Sequence, residues 1–247
     1  MKLGLVLSGG AARGAFHLGV LQFLEEQNIT IDAYSGSSIG AIISVSHASG
    51  ISAKEQLKIF SSKEIKELIK FNYLKKGLLR IDTNHKILSD LLPIKKLEDI
   101  EKKVYINAYD LKSKKVLYFD KGDCHTLCLA SSALIPLFRP IKYKNMELID
   151  GGLFDNMPIK PLINKDYEIY TVDVMPRKSK VTTSKKYNPI KQFKKKIFKQ
   201  LIENTKYSIE HTNHYISCEE ILDFKMFTFK ELKNSFNLGY KEAQKHF

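Results

Sequence analysis

One stretch of the chain, Gly36-Ser37-Ser38-Ile39-Gly40, has the pattern G-x-S-x-G, in which a serine hydroxyl can act as a nucleophile. We predict a strand before it, Ile29–Tyr34, and a helix after it, Ile39–Ala48. The two glycines permit a sharp turn, and the positive end of the helix would point at Ser38. The same pattern occurs in ordinary turns, so a catalytic serine requires a base and an oxyanion site elsewhere in the chain.

A glycine-rich loop, residues 8–14, separates a predicted first strand, Lys2–Leu7, from a predicted helix, Ala15–Gln27. Backbone N–H groups at a helix N-terminus lack partners within the helix and favour negative charge. An oxyanion that forms next to Ser38 would bind there. The predicted donors are the N–H groups of Gly9, Gly10 and Ala11.

Arg13 and Gly14 complete this loop. Arg13 either adds positive charge near the oxyanion or locks the loop by donating to carbonyl groups, while Gly14 supports the turn. A phosphate-binding loop would need Gly-Lys-[Ser/Thr] here, and a dinucleotide fingerprint would need glycine where Ala11 stands. The acid Asp32 does follow where a ribose-binding carboxylate is expected, but a dinucleotide site leaves the Ser38 turn unexplained.

The predicted base is Asp150, which follows a short predicted strand, Glu147–Ile149, in the sequence Asp150-Gly151-Gly152. An aspartate is a weak base at its ordinary pKa of about 3.9, but enclosure in an apolar cleft raises that pKa. The same three residues also fit a plain turn. None of the seven histidines stands in a loop after a predicted strand, where a triad histidine is expected.

The order of these motifs resembles that of the patatin-like phospholipase family over about residues 3–175. The resemblance implies a three-layer α/β/α fold with a mostly parallel central sheet, a Ser38–Asp150 dyad without histidine, and esterase action on acyl lipids. The sequence departs from the family at Ala11, where many members have a third glycine, and alanine fits there if its φ angle is negative. The segments that carry the resemblance are 8–14 (oxyanion loop), 36–40 (nucleophile elbow), Ala130–Pro140 (a small-residue block, Ala130-Ser131-Ser132-Ala133, that leads to Pro136) and Asp150–Gly152 with Asn156 and Pro158 behind it.

The composition predicts a globular chain of 247 residues, of which 43% are hydrophobic and 27% are charged. We expect one catalytic domain over residues 1–247, with the core motifs in 3–175 and a basic helical region in 176–247. Three sparse cysteines predict free thiols in a reducing compartment, which indicates the cytoplasm. The group Cys124, His125 and Cys128 lacks a fourth ligand, so we predict neither a metal nor another cofactor.

The net charge of +13 predicts an anionic partner, and ten basic residues without an acid lie between Arg177 and Lys199. We predict a long amphipathic helix over Pro189–His211, with an apolar stripe that includes Ile190 and Phe193. Its lysines either contact an anionic membrane or stay solvated while the stripe packs on the domain. No nucleic-acid-binding module is recognisable in the sequence. The predicted membrane-binding residues are Lys191, Lys194, Lys195, Lys196 and Lys199.

Together these features predict a serine lipid acyl hydrolase of the phospholipase A or lysophospholipase type, with a phospholipid or lysophospholipid as substrate. An acyltransferase or thioesterase could use the same dyad, and a noncatalytic protein could bind anionic membrane through its basic face. The predicted location is cytoplasmic, with a peripheral position on the inner membrane face as a further alternative. The other predicted elements are helical residues 53–100, the strands Val104–Ala108, Lys115–Phe119, Ile141–Tyr143, Tyr167–Val174 and Lys225–Phe229, and the helices Asp123–Ala133 and Lys230–His246.

Overall fold

The computed structural model describes residues 2–65, 86–176, 201 and 203–247. Part of the predicted helical region 53–100 and most of the predicted helix Pro189–His211 therefore lie outside the described residues. The strands are β1 (Lys2–Leu7), β2 (Ala33–Gly36), β3 (Lys103–Asp110), β4 (Lys115–Phe119), β5 (Ile141–Tyr143), β6 (Met146–Asp150), β7 (Tyr167–Val172) and β8 (His214–Ile216). The helices include α1 (Ala15–Glu26), α2 (Ile39–Ala48), α3 (Ala53–Phe60), α4 (Lys86–Leu91), α5 (Cys124–Ser131), α6 (residues 203–211) and α7 (Leu232–Ala243).

The eight strands of the described residues form one sheet, in the order β5-β6-β3-β2-β1-β7-β8, with β4 also paired to β3. The run β3-β2-β1-β7-β8 is parallel throughout. The strands β4, β5 and β6 join antiparallel on the β3 side. The prediction of a mostly parallel central sheet is therefore confirmed.

Side chains alternate along β1 and divide the core between the two faces of the sheet. Leu5 and Leu7 belong to the larger cluster, which α1, α2 and α5 help to cover. Val6 belongs to a smaller cluster on the other face, with Met157 and Leu162, against which Tyr207 of α6 packs. A parallel sheet needs both faces covered, and here both are, as the predicted three-layer α/β/α architecture requires.

The second strand lies later in the chain than predicted. The predicted range was Ile29–Tyr34, but Ile29 still closes the end of α1 by donating its N–H to the carbonyl of Leu24 at 2.9 Å. Leu3 then donates its N–H to the Asp32 carboxylate at 2.8 Å, which brings the chain beside β1. Regular pairing therefore starts at Ala33 and continues to Gly36, so β2 runs directly into the Ser38 turn.

The predicted strand Lys225–Phe229 is wrong. Its backbone lies outside the sheet, where the carbonyl of Met226 accepts the N–H of Ala12 at 2.8 Å. The last strand is instead β8, a three-residue parallel partner of β7 that was not predicted. Its sequence, His-Tyr-Ile, is too short and polar to show an alternating apolar pattern.

Helix α7 crosses α1 at a point where both helices have a glycine. A Cβ atom on Gly19 would lie 1.9 Å from the carbonyl oxygen of Phe236, and one on Gly239 would lie 2.0 Å from that of Phe16. The two backbones are therefore in direct contact, so α7 is packed tightly on the N-terminal part of the chain. This contact supports the single-domain organisation over 1–247, which stays a prediction.

Replacing Gly239 by alanine is expected to lower the free energy of unfolding by about 1–3 kcal/mol, because the added methyl group must push the two helices apart. The loss is expected although alanine is the better helix former. The matched control is Asn237→Ala, an exposed position on the same helix, where no loss is expected. Urea unfolding of both variants is the measurement, and equal midpoints would contradict the tight crossing.

Candidate active site

Ser38 lies in the sharp turn between β2 and α2, with φ 53° and ψ −122°. This is a strained conformation for a residue other than glycine. The turn needs its flanking glycines, because a Cβ atom on Gly40 would lie 2.2 Å from the Leu7 carbonyl oxygen and one on Gly36 would lie 2.5 Å from that of Gly40. The geometry is that of a nucleophile elbow, which holds the serine side chain clear of the strand end.

A second serine fixes this elbow from another element. The backbone N–H of Ser38 donates to the hydroxyl of Ser131 at 2.8 Å, and Ser131 is fully buried on α5. The bond explains the small-residue segment that begins at Ala130, since a larger side chain would prevent this approach. The position of Ser131 against Ser38 was not predicted.

Asp150 is the last residue of β6, where it pairs with Ala108 of β3, and a short 3-10 turn follows it at Gly151–Leu153. Its carboxylate accepts the N–H of Gly152 at 2.7 Å, and the Ser38 hydroxyl lies close enough to lower the pKa of the carboxyl group. The structure thus brings together the two side chains that were predicted to act as nucleophile and base.

Burial controls the acidity of Asp150, which is 6% exposed. Desolvation raises its pKa to about 7, although the hydrogen bonds from Gly152 and Ser38 oppose the shift. A carboxyl group with this pKa is a far stronger base than an exposed aspartate and still ionises near neutral pH. This is the behaviour that proton transfer from a serine requires.

The histidines of the described residues form hydrogen bonds or ion pairs away from Ser38 and Asp150. His17, which lies nearest in sequence to the glycine-rich loop, is fully buried and bonds to the Ser8 carbonyl at 2.8 Å. The dyad geometry therefore involves serine and aspartate without a described histidine. The remaining pairs are His47 with Tyr34 and Glu25, His125 with Leu92, His211 with Tyr207, His214 with Glu168, and His246 with Glu242.

The glycine-rich loop presents fewer free donors than predicted. Gly9 already donates its N–H to the side-chain oxygen of Asn156 at 3.1 Å, so it is not available to an oxyanion. The N–H groups of Gly10 and Ala11 have no acceptor within the described part of the chain. The condition under which alanine fits at position 11, a negative φ, is not met, because the chain enters a 3-10 turn there with φ 51°. Of the three predicted oxyanion donors, two N–H groups therefore remain free, and one of them belongs to an alanine in a strained conformation.

Asn156 connects the two halves of the site. Its side chain accepts the Gly9 N–H and donates to the Gly9 carbonyl at 3.2 Å. A Cβ atom on Gly152 would lie 2.8 Å from the same Asn156 oxygen, so Asn156 sits between the loop and the Asp150 turn. Asn156 is part of the predicted motif, where no role was assigned to it, and in the structure its two side-chain hydrogen bonds hold Gly9 of the loop.

Replacing Asn156 by alanine is expected to lower kcat by about 100-fold with little change in KM, because Gly9 loses both bonds and the free N–H groups shift relative to Ser38. The control is Asn234→Ala, an exposed asparagine on α7 for which full activity is expected. Steady-state hydrolysis of a p-nitrophenyl ester measures both constants. A kcat equal to that of the wild type would show that Asn156 does not support catalysis.

Arg13 locks the loop, which is the second of its two predicted roles. Its guanidinium donates to the carbonyls of Phe224 at 2.7 Å, Leu222 at 3.0 Å and Val174 at 3.4 Å. Gly14 follows it, buried, and a Cβ atom there would lie 2.5 Å from Ile39 at the start of α2. The loop is therefore held by the C-terminal part of the chain as well as by the elbow.

Helix α6 supports the other side of the site, behind Asp150. Asn204 donates its side-chain N–H to the Phe154 carbonyl, and Ser208 donates its hydroxyl to the Met157 carbonyl, both at 2.7 Å. These bonds hold the segment that follows the Asp150 turn. The predicted membrane-binding lysines, 191–199, lie outside the described residues.

A family model described as patatin-like phospholipase matches residues 5–163. An uncharacterised NTE family protein of Mycobacterium bovis is 28% identical over 172 residues, which cover 68% of this chain and 48% of that protein. The lysophospholipase NTE1 of Saccharomyces cerevisiae is 29% identical over 194 residues, covering 70% of this chain and 11% of that protein. The crystal structure of VipD from Legionella pneumophila has a TM-score of 0.55 at 14% identity, covering 99% of this chain and 66% of that one.

The chain spans about half the length of the mycobacterial relative and about a tenth of the yeast protein. The likeness to VipD shows the fold, in agreement with the α/β/α layers described above. The family model covers more than half of the chain and includes Ser38, Asp150 and all of the glycine-rich loop. The chain therefore belongs to the patatin-like phospholipase family.

Proposed function

We propose that the chain is a serine lipid acyl hydrolase that cleaves carboxylic esters of phospholipids or lysophospholipids with a Ser38–Asp150 dyad. One observation carries the proposal: the hydroxyl of a strained serine lies beside a buried aspartate and interacts with its carboxyl group. The glycine-rich loop that carries Gly10 and Ala11 is held beside this pair, since Asn156 bonds to Gly9 and lies close to Gly152. These are the nucleophile, base and oxyanion donors of an acyl-transfer site.

In the first half of the reaction, the Ser38 oxygen attacks the ester carbonyl carbon and its proton passes to the Asp150 carboxylate. The carbonyl oxygen becomes an oxyanion, which the N–H groups of Gly10 and Ala11 stabilise. When the tetrahedral intermediate collapses, the bond to the alcohol oxygen breaks. Asp150 returns its proton to that oxygen, and the acyl group remains on Ser38.

In the second half, a water molecule attacks the acyl-serine ester and Asp150 accepts a proton from it. The same two N–H groups hold the second oxyanion. Collapse then breaks the bond to the Ser38 oxygen, which recovers a proton from Asp150, and a free fatty acid leaves. An acceptor alcohol in place of water would give acyl transfer on the same dyad.

The choice of a lysophospholipid or phospholipid rests on the family and on the name of the yeast relative, a lysophospholipase. The test is incubation of the purified chain with lysophosphatidylcholine or phosphatidylglycerol, followed by measurement of released fatty acid. Addition of an acceptor alcohol separates the alternatives, because an acyltransferase would form a new ester in place of fatty acid. No product from either lipid would refute the proposed activity.

We also propose that the protein acts in the cytoplasm at the surface of an anionic membrane. The net charge of +13 and the free thiols of its three cysteines support this location. Within the described ranges, no helix is both long enough and apolar enough to span a bilayer. Sedimentation with vesicles that contain phosphatidylglycerol tests the membrane contact, and a protein that stays in the supernatant would contradict it.

A further inference from the structure

Phe227 is the most exposed large apolar side chain among the described residues, with 66% of its surface accessible. It lies in the irregular segment 224–230, between the 3-10 turn Glu219–Asp223 and α7. A second apolar side chain, Met175, is 36% exposed just after β7. Transfer of such apolar surface out of water and into an apolar partner is favourable.

Both side chains belong to segments that contact the glycine-rich loop. Arg13 donates to the carbonyls of Phe224 and Val174, which are three residues and one residue before the two exposed side chains. Ala12, next to the proposed oxyanion donors, donates its N–H to the Met226 carbonyl at 2.8 Å. The backbone next to Phe227 is therefore hydrogen-bonded to the glycine-rich loop, which lies beside Ser38.

The two charged residues nearest to Phe227 in sequence are lysines. Lys225 and Lys230 flank it, both exposed, and the residues between them include no acid. The nearest acids in sequence, Asp223 and Glu231, lie just outside this segment, on the sides of the 3-10 turn and α7. An exposed aromatic side chain between two lysines is a combination that suits the interface of an anionic bilayer.

We propose that residues 224–230 form an interfacial loop, in which Phe227 inserts into an anionic phospholipid surface while Lys225 and Lys230 contact its headgroups. Met175 widens the apolar contact from the neighbouring segment. The role of this loop in catalysis rests on the proposed function, because insertion would bring the lipid ester to the side of the molecule where the glycine-rich loop lies. Binding itself is independent of catalysis.

The interfacial loop is expected to affect activity on vesicle lipid but not on a soluble ester. A substrate in a vesicle must be reached at the surface, so insertion of Phe227 raises the rate on vesicles. A short soluble ester diffuses to Ser38 without the interface, so the same side chain is expected to have little effect there. The bonds that hold the loop come from its backbone carbonyls, so the side chain can be removed without breaking them.

The experiment compares Phe227→Ala with Ile209→Ala, a 43% exposed apolar side chain on α6. Phe227→Ala is expected to lower binding to phosphatidylglycerol vesicles about 10-fold or more in a sedimentation assay, the effect of losing one buried aromatic side chain. It is also expected to lower hydrolysis of vesicle lipid while leaving the hydrolysis of p-nitrophenyl butyrate unchanged. Ile209→Ala is expected to match the wild type in all three measurements.

Unchanged vesicle binding by Phe227→Ala overturns the proposal, as does an equal loss in Ile209→Ala. An equal loss of activity on the soluble ester also overturns it, because the side chain would then support the fold rather than the interface. If the wild type hydrolyses neither substrate but Phe227→Ala alone loses vesicle binding, the interfacial loop stands and the proposed catalytic function fails.

Discussion

Replacing Ser38 by alanine is expected to lower kcat for ester hydrolysis by about 1,000-fold or more. In the proposed mechanism the Ser38 oxygen carries the acyl group, and without that oxygen no acyl-enzyme forms. The substitution removes one atom and leaves the backbone of the elbow in place, so the fold is expected to be retained. Hydrolysis of a p-nitrophenyl ester measures the loss, and circular dichroism confirms the fold.

The matched control is Ser46→Ala, the same change two turns further along α2. The Ser46 hydroxyl is buried without a hydrogen-bond partner among the described residues, so its removal breaks no bond. A fluorophosphonate probe is expected to label the wild type and Ser46→Ala and to leave Ser38→Ala unlabelled. Labelling of Ser38→Ala at another serine, with activity retained, would refute the proposed nucleophile.

The sequence was informative wherever the chemistry of the site is local. A Cβ atom at position 40 would lie 2.2 Å from the Leu7 carbonyl oxygen, so the turn needs glycine there, and that requirement is visible as G-x-S-x-G. The turn after β6 requires small residues, and this requirement is likewise visible in the sequence Asp150-Gly151-Gly152. The run from Leu3 to Leu7 is buried throughout, and this continuous apolar stretch before the glycine-rich loop made the first strand predictable to its bounds.

The rest of the site depends on partners that lie far apart in the chain. Ser38 meets Ser131, Gly9 meets Asn156, and Arg13 meets the carbonyl of Phe224. None of these pairs has a spacing that a helix or strand period would reveal, so only the tertiary structure identifies them. The positive φ of Ala11 is likewise not visible in the sequence.

The proposed dyad implies a conflict between activity and stability. Asp150 must ionise to accept a proton, but burial makes the ionised form unfavourable, which is why its pKa is raised to about 7. The unfolded chain would hold that carboxyl in water at its ordinary pKa of 3.8. Between these two values the folded protein keeps a proton that the unfolded chain releases, so folding becomes less favourable as the pH rises.

Asp110 at the end of β3 provides a contrast. Burial raises its pKa, but hydrogen bonds from Ser113, Glu147 and Lys112 outweigh burial and lower the pKa to about 2. Its contribution to stability is present above the unfolded pKa and is lost as the pH falls through about 2. Replacing Asp110 by asparagine should therefore destabilise the protein at neutral pH without affecting the dyad, which makes it the control for Asp150→Asn.

Asp150→Asn is expected to lower kcat by about 1,000-fold or more, because an amide cannot accept the Ser38 proton. In the wild type, kcat/KM is expected to rise with pH up to about 7 and then level off, as the carboxylate forms. In the variant, this rise of kcat/KM with pH is expected to be absent. The measurement is kcat/KM as a function of pH for both proteins. The same rise in the variant would show that another group titrates.

The same substitution is expected to stabilise the protein where the wild type is ionised. The asparagine amide can accept the Gly152 N–H and has no charge to desolvate, so the difference in Tm between Asp150→Asn and the wild type should grow as the pH rises from about 4 to 8. Asp110→Asn should lower the Tm at neutral pH instead. If Asp150→Asn gained no stability at high pH, the carboxyl would be ionised without cost, and burial could not be what makes Asp150 a base for Ser38.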